Sequence, residues 1–420
     1  MKSHLLPAAL PPVESANGRP VWSPRDLLRK AERRIFTWLQ GRFACAPVRF
    51  VLWDGTTIGA GGDDVPEMVV KDRRALLGII WDPEVWFGEA YTSGRVEVPG
   101  DLVAFLETCF RAWDDAPALS RLRSHRFFGR RSGDVASSRH DIHRHYDLGN
   151  EFYRLWLDRE LVYTCAYFPR PEVSLEEAQL AKMDHVCRKL RLQPGETVIE
   201  AGCGWGGFAL HMARRYGVRV RAFNISAEQV RHARRRAAQE GLEGRVEFVE
   251  DDFRSIEGPA DAFVSVGMLE HVGLESYEAL GEVIDRCLAP GGRGLLHFIG
   301  RTRVRPLNAW LRRRVFPGAY PPTLEQVTER VLGARDLAVL DVENLRQHYA
   351  RTLAHWLRRF EEAAGEVARM FDERFVRAWR LYLAGSQASF STGYLQLFQV
   401  TFARGGANDI PWTRESLYVR

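Results

Sequence analysis

The stretch VIEAGCGWGGFAL, residues 198–210, runs from an apolar strand through four glycines within six residues into a helix. Glycines placed this way supply positive φ and let a ligand or a neighbouring backbone approach with no Cβ in the way. The flanking sequence keeps a strand–helix rhythm from about residue 175. LEEAQLAKMDHVCRKLRL has amphipathic helical spacing, FALHMARRYG is a helix ended by Gly217, VRVRAFNI is a strand, and SAEQVRHARRRAAQEG is a helix whose Ser226 and Gln229 form a capping box. VEFVED, DAFVSVGM, a helix through ESYEALGEVIDRCL, the APGG turn and RGLLHFIG continue the series. Continuous apolar strands separated by helices predict an α/β fold with a parallel sheet covered on both faces. Ligands of such sheets bind at the carboxyl ends of the strands.

A chain of 420 residues exceeds one usual core, so a second, smaller unit is expected. Residues 1–21, Pro-rich, read as a disordered lead. Residues 22–118 read as an accessory α+β unit: RDLLRKAERRIFTWL is helical, VRFVLWDGTTIGAG is a hairpin turning at Asp54-Gly55, and MVVKDRRALLGIIW is a strand leading into a helix. Residues 119–145 read as a basic linker, and 146–420 as the main domain, which is expected to carry the site. The six cysteines show no CxxC pair and no ligand spacing with His, so neither disulfides nor a metal site is expected, and a reducing cytoplasm fits. No apolar run approaches the roughly 20 residues that span a bilayer.

The net charge of +5 is too small to announce a nucleic-acid binder, but its distribution is uneven. Seven arginines fall between Arg121 and Arg144, and six between Arg301 and Arg314 with no acid among them. Such patches attract the phosphates of a membrane surface, an acidic carrier or RNA, and each is equally a solvated basic face. No aromatic platform interleaves with these charges, which disfavours RNA.

GCGWGG also satisfies the dinucleotide fingerprint. That fingerprint wants an acid some 20 residues on for the ribose, where this chain has Asn224. The acid stands instead at Glu200, before the first glycine, which suits a cationic ligand without phosphate. S-adenosylmethionine is such a ligand. Asp252 and Phe253, after the third strand, offer an acceptor and a ring face for its adenine.

HYDLGNEFYRLWLD, YTCAYF, VIEAGCGWGG, NISAEQ, VSVGMLEHVG, LLHFIG and ENLRQHYARTLAHW stand in one order over about 146–404. In this the chain resembles the cyclopropane fatty-acid synthase family of S-adenosylmethionine-dependent methyltransferases, including the mycolic-acid cyclopropane synthases. The first hundred residues resemble, more loosely, the N-terminal domain of the bacterial synthases. The resemblance implies a class I methyltransferase fold, Rossmann-like, with a seven-stranded sheet. Its final pair would be LAVLDVENL and YLQLFQVTFAR, the last strand antiparallel. Helices from about 346 to 386, with the segment 146–190, would cap the strand ends as an acyl-binding tunnel.

Residue by residue, the resemblance implies that Tyr163 and Thr164 close over S-adenosylmethionine, and that Gly202, Gly204 and Gly206 cradle its methionine part. Asn224 to Gln229 would meet the ribose, with Asn224 where Thr is common in the family, and Asp252 and Phe253 the adenine. Cys165, Glu270, His297, Ile299 and Tyr349 match the positions that surround a bound bicarbonate. The substrate would be a cis-unsaturated acyl chain of membrane phospholipid, reached from the cytoplasmic side by peripheral attachment to the inner membrane. The accessory unit would dock the bilayer or mediate dimerisation.

The chemistry explains these residue types. An isolated alkene is a poor nucleophile, so the methyl must be presented on a sulfonium with water excluded. Aromatic faces stabilise the resulting carbocation without attacking it, and the candidates are Tyr163, Tyr167, Phe168, Phe298 and Tyr394. Ring closure then needs a base for one proton of the transferred methyl. Holding bicarbonate there calls for donors from His297, Tyr349 and backbone amides near Cys165 and Ile299. Glu270 accepts the anion's own hydroxyl, a task that asks for no unusual pKa. A cation quenched differently would give a methyl-branched or methylene fatty acid instead. A nicotinamide oxidoreductase is a third reading, disfavoured by Asn224.

Overall fold

The computed structural model describes residues 13–14, 20–21, 47–59, 61–62, 65–114, 148–333 and 335–418. The helix expected at 25–39 and the basic linker with the first arginine patch lie outside these. Within the lead, Val13–Glu14 pair antiparallel with Pro20–Val21. Those four residues form a short ribbon with Val13 opposite Val21 and Glu14 opposite Pro20 in its register.

The large sheet is built from β5 (Thr197–Ala201), β6 (Arg219–Asn224), β7 (Val246–Glu250), β8 (Ala260–Val266), β9 (Leu288–Gly300), β10 (Leu337–Asn344) and β11 (Gln396–Arg404), in the order β10-β11-β9-β8-β5-β6-β7. The five strands from β9 to β7 are parallel, while β11 runs antiparallel to both β9 and β10. Strand order reverses between β5 and β8, so the crevice outside their carboxyl ends is where a ligand is expected. The capping box predicted at Ser226 is only half made. Ser226 Oγ accepts from the Gln229 amide, but the Gln229 side chain bonds Asn224 instead. A complete box stands at Ser174 and Glu177, opening the helix Leu175–Lys189.

The N-terminal unit has a four-stranded sheet of β1 (Arg49–Leu52), β2 (Thr57–Gly59), β3 (Glu67–Val70) and β4 (Val96–Glu97), ordered β2-β1-β3-β4. Helices α1 (Arg73–Trp81), α2 (Pro83–Thr92) and α3 (Leu102–Asp114) accompany it. The unit shares one buried cluster with the cap helices Arg346–Glu362 and Glu373–Thr392. Trp310, 3% exposed, lies so close to Gly88 of α2 that a Cβ there would meet its ring at 2.4 Å. Truncating a buried tryptophan to alanine costs about 3–5 kcal/mol, so Trp310 is one of the larger contributors to this shared cluster.

Candidate active site

The glycine loop leaves β5 with Gly202, Gly204 and Gly206 all at positive φ. Its shape is fixed from below, because the amides of Gly202 and Cys203 both donate to the Phe223 carbonyl. Asn224 Nδ2 donates to the Gly204 carbonyl at 3.2 Å and to Gln229 Oε1 at 2.8 Å, so Asn224 and Gln229 brace the loop. Trp205 Nε1 donates to Asn150 Oδ1 at 2.6 Å, fastening the loop to the start of the helix Asn150–Arg154.

Glu200 is buried at the end of β5, and burial raises its carboxyl well above the usual range, to about 8. Its Oε2 has no hydrogen-bond partner. Lys182 lies fully buried near it, pushed down by the same desolvation, and its Nζ donates to Thr164 Oγ1 at 3.1 Å. Gln179, on the same helix, donates to the carbonyls of Val162 and Thr164. That helix therefore holds the Tyr163–Cys165 segment against the sheet, where a Cβ on Gly267 would meet Thr164 Cγ2 at 2.8 Å.

Above the ends of β8 and β9 lies a cavity of about 90 Å³. Tyr163, Thr164, Cys165, Glu270, His297, Ile299 and Tyr349 all line it, so the seven residues expected at the closing segment and the anion site meet in one place. The rest of its wall is largely apolar or aromatic, including Leu307, Leu311, Phe316, Leu353, Tyr382 and Phe390. This volume holds a small anion and a few carbons beside it, a shorter space than the tunnel expected for a whole acyl chain.

The polar groups of the cavity are sharply set. His297 Nδ1 faces Gln399 Nε2 at 3.0 Å. The amide donates, so the imidazole proton sits on Nε2, which is buried and unpartnered. Burial keeps the ring neutral, holding its pKa well below the ordinary value. Glu270 Oε1 accepts from the Ile299 amide, while Oε2 is buried and unpartnered. Burial raises the Glu270 carboxyl to about 7, a shift its role as an acceptor did not require. The Cys165 thiol is pushed up by burial and stays protonated, which leaves it no role as a nucleophile.

Four expectations change. The Ile299 amide is spent on Glu270, and the Ala166 amide next to Cys165 donates to Thr352 Oγ1 at 3.0 Å, so neither is left for an anion. Asp252 pairs with Arg254 at 2.9 Å, and the Arg254 guanidinium lies over the Phe253 ring at 4.8 Å, so both residues expected at the adenine already carry a protein partner. Of the five aromatic candidates only Tyr163 lines the cavity. Phe298 points to the opposite face of β9 from His297 and Ile299, as strand alternation requires, and packs on Phe398. Tyr167 stacks between His185 and His348, Phe168 faces His355, and Tyr394 lies against Arg301. Finally, the second arginine patch is not one surface. Arg301 is buried, and Arg314 pairs with Glu89 at 2.6 Å.

Residues 134–400 match the family described as mycolic acid cyclopropane synthetase. The chain belongs to the mycolic acid cyclopropane synthetase family. It is 36% identical to a probable fatty acid methyltransferase of Pseudomonas putida over 89% of this chain and 96% of that one. It is 39% identical to the cyclopropane-fatty-acyl-phospholipid synthase of Escherichia coli K12 over 63% of this chain and 68% of that one. The structure of the mycolic acid cyclopropane synthase CmaA1 complexed with SAH and CTAB superposes with a TM-score of 0.61 at 31% identity, covering 63% of this chain and 98% of that one. Membership makes the chain an S-adenosylmethionine-dependent methyltransferase with the class I fold.

Sequence reasoning missed Lys182, Gln399 and Tyr382. Lys182 had a signal, since it falls on the apolar stripe of its helix with Leu175, Ala178 and Val186, where a lysine needs a buried reason. Tyr382, whose hydroxyl meets that of Tyr163 at 2.7 Å, comes from 219 residues away and had none.

Proposed function

We propose that this family member transfers a one-carbon unit from S-adenosylmethionine to the cis double bond of an unsaturated acyl chain of membrane phospholipid, closing a cyclopropane ring. The observation that carries the reading is the pair of unspent groups in one apolar cavity, an imidazole N–H on His297 and a carboxylate oxygen on Glu270. An anion that carries both acceptor oxygens and one hydroxyl satisfies the two at once, and bicarbonate has that donor set. His297, Glu270 and Tyr349 would hold it, and when bound it supplies a base that an alkylating cation does not permanently consume.

The chain's own residues do the remainder. Glu200, raised by burial and with its Oε2 unpartnered, would give up its proton beside the cationic end of the cofactor and so hold it, and Tyr163 and Thr164, braced by Tyr382 and Lys182, cover it. The apolar wall admits the alkene and excludes water. The alkene's electron pair forms a carbon–carbon bond to the methyl as the carbon–sulfur bond breaks onto sulfur. Loss of one proton from that methyl closes the ring. Incubation with S-adenosylmethionine and vesicles of defined double-bond position, followed by NMR of the lipids, tests the reading; unmodified chains would sink it. The near full-length match to a probable fatty acid methyltransferase supports a second outcome, a methyl-branched or methylene chain. The same spectra separate the products.

Glu270 must be ionised to accept a hydroxyl through Oε2. With its carboxyl near 7, acidification through that range protonates it, so turnover falls below about pH 7 and rises to a plateau above. An acid limb that persists unchanged in Glu270→Gln assigns it to another group.

No described helix is long and apolar enough to cross a membrane. Access to a bilayer would run through α1, whose outer face exposes Leu77 (56%) and Trp81 (78%) near the exposed Arg73 and Arg74. Exposed apolar groups beside basic ones suit an anionic interface. Trp81→Glu is expected to cut co-sedimentation with anionic vesicles by about tenfold, with turnover on detergent-dispersed lipid unchanged. Equal binding by the variant removes α1 from the contact.

A further inference from the structure

Arg301 stands one residue past β9, in line with His297 and Ile299 because alternate residues of an extended chain face the same way. It is 3% exposed. Its Nη1 donates to the carbonyls of Arg305 (3.3 Å) and Pro306 (2.9 Å), and the Tyr394 ring centroid lies 5.4 Å from the guanidinium carbon. The other edge is unspent: Nε and Nη2 are both buried with no hydrogen-bond partner. Among the described residues no carboxylate forms an ion pair with Arg301, although Arg305 brings a second guanidinium to the same ring at 5.6 Å. A buried cation with no carboxylate at ion-pair distance is unfavourable, and Glu84 acts on this one only from farther away, so its strongest kind of partner is missing.

The geometry of the open edge narrows what that partner is. Nε–H and Nη2–H point the same way and form the fork that grips a carboxylate or phosphate through two parallel hydrogen bonds. The place narrows it further. Ile299 two residues before Arg301, Leu307 directly after Pro306, and Leu395 directly after Tyr394 all line the cavity that holds Glu270 and His297. Four residues of extended chain, roughly 13 Å at about 3.3 Å per residue, separate His297 from Arg301. We infer that Arg301 is the subsite for the oxyanion at the head of the acyl substrate, a phosphate or carboxylate held at Nε and Nη2. It then acts as a ruler, since the anchored head fixes which bond of the chain lies beside Glu270 and His297. The inference rests on the acyl-substrate reading and adds to it the charge of the head and the residue that reads it.

Calorimetry on the full chain with dodecyl phosphate, dodecanoate and dodecanol tests this without turnover. The wild type is expected to bind the two anions more tightly than the alcohol. Arg301→Met should weaken anion binding by about tenfold or more, as loss of charge-assisted hydrogen bonds does, and leave dodecanol unchanged. Arg301→Lys, which keeps the charge and loses the fork, should fall between. Sensitivity to the phosphate alone identifies a phosphate ester as the head, and sensitivity to dodecanoate alone a free acid. Without ligand, Arg301→Met should melt no lower than wild type, because an uncompensated charge has gone. A lower melting temperature with equal weakening of all three ligands would show that Arg301 only ties the 301–306 loop, and would overturn the inference. If Arg301→Met does not fold, the lysine variant carries the same comparison. A chain that methylates no alkene yet shows this pattern refutes the functional reading and keeps the subsite; an active chain without it does the reverse.

Discussion

Glu270→Gln is expected to lose at least about a hundredfold in turnover while binding S-adenosylmethionine as the wild type does. The substitution is nearly isosteric, so the amide oxygen can keep the bond from the Ile299 backbone that now goes to Oε1. What changes is the other atom. Oε2, buried and unpartnered, becomes an NH2 group, and a donor stands where an acceptor for a hydroxyl is needed. His297 presents its own N–H to the same cavity, so two donors would then face each other across it with no acceptor between. The glycine loop and Glu200 are untouched, which is why cofactor affinity, followed by tryptophan quenching, should hold. Excess bicarbonate should recover part of the rate by mass action. Turnover equal to wild type would take Glu270 out of the site, and lost cofactor binding would make it a structural residue.

Much of this fold was legible because continuous apolar strands and helical spacing alternate without ambiguity from about 175 onwards, and because a glycine turn after an apolar strand has few structural uses. The seven cavity residues were legible only as a set tied to motifs. Taken singly, Cys165 or His297 reads as an ordinary buried residue, and both are indeed buried. What escaped was whatever depends on partners distant in sequence. Six arginines between 301 and 314 look like one basic face until Glu89, 225 residues away, takes Arg314 and the chain folds over Arg301. Asp252 looks available until the side chain two positions later turns back on it. Phe298 is a different kind of miss, since alternation along β9 excludes it from the His297 face and that much was readable from the sequence.

Gly206→Ala tests whether the loop's glycines are required by space or only by backbone conformation. Gly206 has φ +81, and a Cβ there would lie 2.7 Å from Phe248 Cζ and 2.8 Å from Ala233 Cβ. The left-handed conformation alone costs a non-glycine about 1–2 kcal/mol. Overpacking against a ring and a methyl in the core under β7 adds about 1–3 kcal/mol. The sum is a large part of the 5–15 kcal/mol by which a domain is usually stable. Gly241, at φ +67 with no atom within 4 Å of its would-be Cβ, isolates the first of these costs. Denaturant midpoints should therefore place Gly241→Ala slightly below wild type and Gly206→Ala well below both. Any shift at Gly206 also moves the turn it closes, where its amide donates to the Cys203 carbonyl and the Gly204 carbonyl accepts from Asn224. Cofactor affinity should fall with stability in that variant and stay level in Gly241→Ala. Equal behaviour of the two variants would mean that the loop has slack, and that close packing beneath it is not what sets the cradle.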